Sequence, residues 1–119
     1  LVAGLQDGLG ATWAQTVVLV ATEFGRTVAA NGTGGTDHGT GAVAMLLGGA
    51  VQGGRVVADW PGLAPANLLD GRDLKPTLAL DALVTAVCSE SFGVDPARLR
   101  PVLFPYAAPA RPLARLLRA

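Results

Sequence analysis

The sequence predicts an α/β protein, in which helices flank a mostly parallel sheet. Residues 16–21 form an unbroken apolar run, T-V-V-L-V-A, which is typical of a parallel strand buried on both faces. A helical pattern precedes this run, and a second helical pattern covers residues 78–92. The order helix, short connection, apolar strand is that of an α/β unit. We therefore expect residues 16–21 to be a central strand of the sheet.

The helix boundaries are marked by glycines and by a capping residue. Leucines at helical spacing, followed by Gly10, predict that residues 1–9 are the end of an amphipathic helix. For the helix over residues 78–92, Thr77 is the predicted N-cap and Gly93 the predicted stop.

The other predicted elements are short. Residues 42–47 form a second apolar run and are predicted to be a strand, and residues 55–58 have the composition of another. We expect these two segments to pair as a hairpin around the intervening glycines. Residues 59–76 are rich in turn formers and predict an ordered excursion over the surface. Asp95 and Pro96 predict one short turn of helix, with the aspartate as its cap.

The predicted organisation is one domain over residues 1–106 and a peripheral tail over residues 107–119. A chain of 119 residues is long enough for a single domain with a modest core. The first residues begin within a helical pattern and without an initiator Met. We therefore interpret the sequence as a fragment of a longer protein.

The composition argues against several classes of function. Half of the residues are hydrophobic, 15% are charged and the net charge is zero, so the chain is not of the disordered type. No apolar run is long enough to predict a membrane span. The residues after Asp95 include arginines but no acid, and these arginines are spread among proline and leucine, which favours a solvated surface over a nucleic-acid site. Cys88 is the single cysteine, which excludes a disulfide within the chain and is typical of a small buried apolar residue.

The loop over residues 22–41 carries the chemistry of this chain. It leaves the C-terminal end of the predicted strand, where open α/β sheets place their ligands. It contains Glu23, Arg26, Asp37 and His38, the single histidine, among many glycines. Because loops of about twenty residues are uncommon in compact domains, this one is predicted to be functional.

Two chemistries are open to this loop. Nucleotide binding is not one of them. The segment G-T-G-A-V-A fits a loose dinucleotide-binding pattern, but that pattern requires a helix after the glycines and a strand is predicted here. The Gly-Lys-Ser/Thr of a P-loop does not occur in the sequence. The carboxylates of Glu23 and Asp37 and the imidazole of His38 are ligands that zinc and similar divalent metals accept. In the alternative interpretation Glu23 pairs with Arg26, Asp37 caps a turn and His38 donates to a backbone carbonyl.

Six motifs in a fixed order resemble one known family. They are T-E-F-G-R-T, N-G-T-G-G-T-D-H-G-T, L-G-G-A-V-Q-G-G, D-W-P-G-L, R-D-L-K-P-T and V-L-F-P. Together they resemble the C-terminal part of the DUF1501 proteins, which are bacterial proteins that usually carry a twin-arginine export signal. The resemblance extends from about Leu9 to Pro105. It implies a periplasmic or extracellular location for the parent protein.

The resemblance also implies a fold and a class of reaction. DUF1501 proteins are grouped with the alkaline phosphatase and sulfatase superfamily, which implies a three-layer α/β/α sandwich around a mostly parallel sheet. It implies a divalent metal, with zinc as the candidate, and hydrolysis of phosphate or sulfate esters. Glu23, His38 and Asp37 are then the candidate metal residues and Arg26 the candidate substrate-binding residue. Phe24 stands where the superfamily has a metal-binding histidine, which departs from the pattern.

Two functions therefore remain open at the level of sequence. The first is part of an exported, metal-dependent hydrolase-like protein, whose nucleophile lies outside this chain and which binds a small ester substrate. The second is a non-catalytic binding or scaffolding protein that keeps the same fold. In both, the partner expected for this chain is the rest of the parent protein.

Overall fold

The structure, a computed structural model, describes residues 1–118 and divides into two compact units. Unit 1 comprises Leu1–Val20, Met45–Val56 and Ala79–Ala119, of which residues 79–118 are described. Unit 2 comprises Ala21–Ala44 and Val57–Leu78. Unit 2 is therefore formed by two insertions into the chain of unit 1. The predicted boundary at residue 106 lies within unit 1.

Unit 1 contains three α-helices and a two-stranded sheet. The helices are α1 (Val2–Leu9), α2 (Leu80–Phe92) and α3 (Pro96–Leu103), with a 3₁₀ segment at Gly10–Gln15 after α1. The strands are β1 (Val18–Val20) and β4 (Met45–Leu47). Unit 2 contains the short strands β2 (Gly25–Arg26) and β3 (His38–Gly39), and a 3₁₀ turn at Pro65–Asn67.

Local signals placed the ends of α1 and α2 correctly but not the start of α2. Gly10 follows α1 with a positive φ of 52°, and Gly93 ends α2 in the left-handed conformation at a φ of 65°. Glycine adopts this conformation without the steric penalty that a Cβ would introduce. The prediction of Thr77 as the N-cap of α2 was wrong, because the helix begins at Leu80 after Ala79, whose side chain cannot cap.

Helix α3 begins as predicted and is longer than predicted. Asp95 caps it, and its Oδ1 accepts a hydrogen bond from the backbone N–H of Ala97 at 2.9 Å. The helix continues to Leu103 although Pro101 lies inside it. An ion pair between Arg100 and Asp81 joins α3 to α2, so packing between the helices sustains the extra turn.

The predicted central parallel strand is a short antiparallel one. β1 pairs antiparallel with β4 in a two-stranded sheet, and Val20 is 38% exposed. The prediction that residues 16–21 form a parallel strand buried on both faces was therefore wrong for the described chain. Thr16 ends the 3₁₀ segment instead, and its hydroxyl donates to the carbonyl of Thr12.

The hairpin predicted around residues 53–54 does not form either. β4 takes β1 as its partner, and residues 55–58 adopt no regular structure. The chain leaves unit 1 after β1 and returns to it at β4, so these two strands meet where the excursion closes. Such a pairing between distant segments has no signature in the local sequence.

The C-terminal segment, predicted to be a peripheral tail, contributes one residue to the core of unit 1. Leu116 is only 5% exposed, and Leu117 forms a β-bridge with Val51. The Glu90 carboxylate accepts hydrogen bonds from the backbone N–H groups of Leu116 and Leu117 at 2.9 and 2.8 Å. These bonds satisfy backbone donors that would otherwise be buried without partners.

A search of the described helices finds none with both the length and the apolar character needed to span a bilayer.

Candidate functional site

The site is built on the β2–β3 pair of unit 2. The two strands are antiparallel, with Gly25 opposite Gly39 and Arg26 opposite His38. Residues that face each other across an antiparallel pair project from the same side of the sheet. Arg26 and His38, which are 12 residues apart in sequence, therefore share one face. The long loop thus turns out to be a small hairpin with a defined register.

The imidazole ring of His38 is stacked on the ring of Phe24. Their centroids lie 4.4 Å apart and the planes are inclined by 12°. Both residues are exposed, so the stack lies at the surface of unit 2. In the described structure neither ring nitrogen of His38 has a hydrogen-bond partner. Phe24, which cannot bind a metal itself, orients the ring and leaves its nitrogens free.

Glu23 and Arg26 do not form the ion pair considered in the sequence analysis. Glu23 is exposed, and its carboxylate has no hydrogen bond or ion pair with any other described residue. Arg26 instead donates from Nη1 to the carbonyl of Thr36 at 2.9 Å. A guanidinium has five N–H donors, so most of its hydrogen-bonding capacity remains.

Asp37 is used to close the loop and not to orient His38. Its Oδ1 accepts a hydrogen bond from Asn31 Nδ2 at 2.9 Å, and its N–H donates to Thr27 Oγ1 at 3.1 Å. Asn31 Oδ1 in turn accepts from the N–H groups of Thr33 and Gly35. Asp37 and His38 are adjacent in an extended segment, where successive side chains point to opposite faces.

Three glycines allow the backbones of this unit to approach closely. A Cβ on Gly39 would lie 2.6 Å from the carbonyl carbon of Arg26, and one on Gly41 would lie 2.5 Å from the carbonyl oxygen of Leu74. A Cβ on Gly25 would overlap the backbone of Gly41. No side chain fits at these positions without a shift of the backbone. Their role is close approach between segments of the protein itself.

A third segment lies along the other side of β2. This third segment is residues 72–74, and two backbone hydrogen bonds join it to β2 and the residues that follow. The Val28 N–H donates to the Arg72 carbonyl at 3.0 Å, and the Leu74 N–H donates to the Arg26 carbonyl at 3.1 Å. The segment follows a tight turn, closed by a hydrogen bond from Arg72 N–H to the Leu69 carbonyl. The two central residues of this turn, Asp70 and Gly71, both have positive φ, as in a type I′ hairpin turn.

Asp73, in this third segment, is a buried carboxylate that the sequence analysis did not single out. It is 5% exposed; its Oδ1 accepts from Arg72 Nε at 2.7 Å and its Oδ2 accepts from Thr40 Oγ1 at 2.9 Å. The hydrogen bond from Arg72, followed by that from Thr40, holds the pKa of Asp73 below its ordinary value, although burial acts in the opposite direction. The Asp-Gly turn three residues earlier was the sequence signal that a paired segment follows.

The predicted metal residues supply suitable donor atoms but not a complete ligand set. The Glu23 carboxylate and the His38 imidazole are free, and both are groups that divalent metals bind. Among residues 1–118, however, no three side chains of His, Cys, Asp or Glu come together in a group that could hold a metal ion. The alternation of Asp37 and His38 along the strand accounts for this, because it separates two of the three candidates.

Fold and site together define a protein with helices and short antiparallel strands that presents a histidine and an arginine on one glycine-rich hairpin. The sequence model of the family described as "Protein of unknown function (DUF1501)" matches residues 2–102. Because this match covers most of the 119 residues, the chain belongs to the DUF1501 family. Neither the curated proteins nor the solved structures gave a match.

Proposed function

We propose that this chain is the part of an exported, metal-dependent hydrolase-like protein that carries metal and substrate residues for phosphate or sulfate esters. The observation that carries the proposal is the pairing of Arg26 with His38, whose free imidazole is oriented by Phe24. An exposed cation beside a free imidazole suits an anionic ester and a metal ion on one face. The alkaline phosphatase-like fold, the export of the parent protein and the identity of the metal as zinc are parts of the same proposal.

Each residue has a defined part in this proposal. His38 and Glu23 are the ligands, because their donor atoms are not used within the described structure. Asp37 supports the loop through the hydrogen bond that its Oδ1 accepts from Asn31 Nδ2. Arg26 binds the anionic group of the ester through its remaining N–H groups. When bound, a divalent metal supplies Lewis-acid polarisation of the ester oxygen and lowers the pKa of a bound water.

Metal content of the full-length protein tests the proposal directly. We expect about one divalent ion per chain in the wild type, measured by elemental analysis after removal of excess metal. Loss of an outer-shell partner typically weakens metal binding by about 10- to 100-fold, so His38→Ala, which removes a ligand, should weaken it by about 100-fold or more. Phe24→Leu retains the ligand but removes the stack, and we expect a smaller loss.

Hydrolysis of 4-nitrophenyl phosphate and 4-nitrophenyl sulfate tests the reaction class. Glu23→Gln should abolish a chelator-sensitive activity, whereas Asp7→Asn, which neutralises an exposed carboxylate in α1, should leave it unchanged. Equal metal content in the wild type and His38→Ala, or none in either, would overturn the metal assignment. If the wild type in addition hydrolyses neither ester, the non-catalytic binding or scaffolding function is favoured.

A further inference from the structure

The register that places His38 opposite Arg26 needs support from outside the β2–β3 pair. Each of these strands has only two residues, and one residue in each is glycine. Isolated two-stranded hairpins are marginally stable in water. Register is also weakly specified in glycine-rich strands, and a slip by one residue moves every side chain to the other face. A slip here would separate His38 from both Arg26 and Phe24.

Asp73 connects the three segments of unit 2, one through its backbone and one through its side chain. Its own segment pairs with β2 through the Thr27–Asp73 bridge. Its Oδ2 accepts the hydroxyl hydrogen of Thr40, which lies two residues after His38 and 33 positions before Asp73. Its Oδ1 accepts from Arg72 Nε, so both carboxylate oxygens have a fixed partner. A buried carboxylate with two directional bonds holds its neighbours more firmly than a solvated one.

A backbone bond in the same place reinforces this connection. The N–H of Gly41 donates to the carbonyl of Leu74 at 3.0 Å, one residue beyond each partner of the Thr40–Asp73 bond. The end of β3 is therefore attached to the third segment at two adjacent positions. A slip of β3 against β2 would move Thr40 and Gly41 away from Asp73 and Leu74, so both attachments oppose it.

We infer that Asp73 is a positioning residue, which acts through the Thr40 hydroxyl to fix His38 in its stack on Phe24 and in register with Arg26. Its meaning for catalysis rests on the proposed function, but the positioning itself does not. Nothing in the role requires Asp73 to touch a metal or a substrate. The Asp73 carboxylate is a buried acceptor, whereas the site faces solvent through exposed residues.

The ring signals of His38 test this inference in the full chain, because His38 is the single histidine. In the wild type we expect NMR ring-current shifts on the His38 ring protons and nuclear Overhauser contacts to Phe24, since the rings are stacked at 4.4 Å. Thr40→Val keeps the side-chain shape but removes the donor to Asp73. It should move the His38 shifts toward their values in denaturant and weaken the contacts to Phe24.

Three further variants make the test specific. Thr40→Ser keeps the hydroxyl and removes only the methyl group, so the His38 signals should stay as in the wild type. If the effect of Thr40→Val were purely steric, Thr40→Ser would also change these signals. Thr77→Val makes the same change at an exposed threonine and should have no effect. Asp73→Ala should reproduce the effect of Thr40→Val or exceed it, including by opening the hairpin altogether. Unchanged His38 signals in Thr40→Val would overturn the inference.

Failure of this inference can be told apart from failure of the proposed function. If the wild-type protein binds no metal but Thr40→Val displaces His38, the positioning role stands and the metal assignment falls. If His38→Ala loses metal binding but Thr40→Val and Asp73→Ala leave the His38 signals unchanged, the metal assignment stands and the positioning role falls.

Discussion

The ring of His38 is held by an aromatic neighbour and not by a carboxylate. Histidine ligands of metals usually have one nitrogen fixed by a hydrogen bond to a second residue. Here Asp37, the adjacent carboxylate, bonds to Asn31, while Phe24 provides a flat surface for the imidazole. The phenylalanine at position 24 cannot bind a metal, but its ring has a structural role because it packs against the imidazole of His38.

Also at the scale of the residue, Asp73 should make unit 2 sensitive to acid. Its pKa in the folded protein lies below the ordinary value of 3.8, so the ionised form is favoured by folding. The ionised Asp73 therefore stabilises the folded state fully at pH values above 3.8, the pKa in the unfolded chain. This stabilisation is lost as the pH falls through the lower pKa of the folded state. Asp73→Asn should remove this part of the pH dependence and leave a flatter profile below about pH 4.

Amide hydrogen exchange between pH 2 and 5 measures this effect at Gly41 and Leu74, whose N–H groups hold the third segment. Asp70→Asn is the matched control, because Asp70 is exposed and asparagine tolerates its positive φ. The same acid-induced loss of protection in wild type and Asp73→Asn would contradict the prediction.

At the scale of the element, the β2–β3 pair depends on glycines that face backbone. The Cβ of an alanine at position 39 would lie 2.6 Å from the Arg26 carbonyl carbon, and a backbone carbonyl cannot swing aside as a side chain can. Overpacking of this kind typically costs about 1–3 kcal/mol. We therefore expect Gly39→Ala to destabilise unit 2 by about 2 kcal/mol.

Gly32→Ala provides the comparison for Gly39→Ala. Gly32 is exposed in the same loop, and a Cβ there meets no atom within 4 Å. Hydrogen exchange of the unit 2 amides should separate the two variants by about 2 kcal/mol. Equal protection in both would show that the strands can shift to accept the methyl group.

At the scale of the whole molecule, the described chain has a small core to which its C-terminal segment contributes. The buried apolar residues are Val51, Ala82, Ala86 and Leu116. Many large apolar side chains are exposed, among them Val56 and Tyr106. A core of this size leaves the stability dependent on each of its members.

Leu116→Ala should therefore destabilise unit 1 more than a leucine replacement elsewhere. Truncation of a buried leucine costs about 2–5 kcal/mol, and we expect about 2–3 kcal/mol because the core around Leu116 is small. Leu103→Ala, at an exposed leucine in α3, should cost less than about 1 kcal/mol. Protection of the α2 amides against exchange measures both. A Leu116→Ala variant as well protected as Leu103→Ala would mean that the C-terminal segment is peripheral after all.

The sequence by itself determined the features that depend on a few neighbouring residues. Gly10 and Gly93 end helices because their φ angles favour glycine, and Asp95 begins one because its side chain reaches the N–H of Ala97. The motifs identified the family, and the loop with Glu23, Arg26, Asp37 and His38 was recognised as the chemically distinctive segment. Each of these features depends on residues that are close together in the sequence, so it can be predicted without knowledge of the fold.

Only the tertiary structure decided which distant segments meet. The antiparallel pairing of β1 with β4, the burial of Leu116 and the bond between Thr40 and Asp73 join residues that are far apart along the chain. Their partners are selected by the closure of the chain and by competition among many alternative pairings, for which a short window of sequence carries no information. The pattern could therefore locate His38 in the long glycine-rich loop, but only the folded unit sets Phe24 against its ring and Arg26 opposite it.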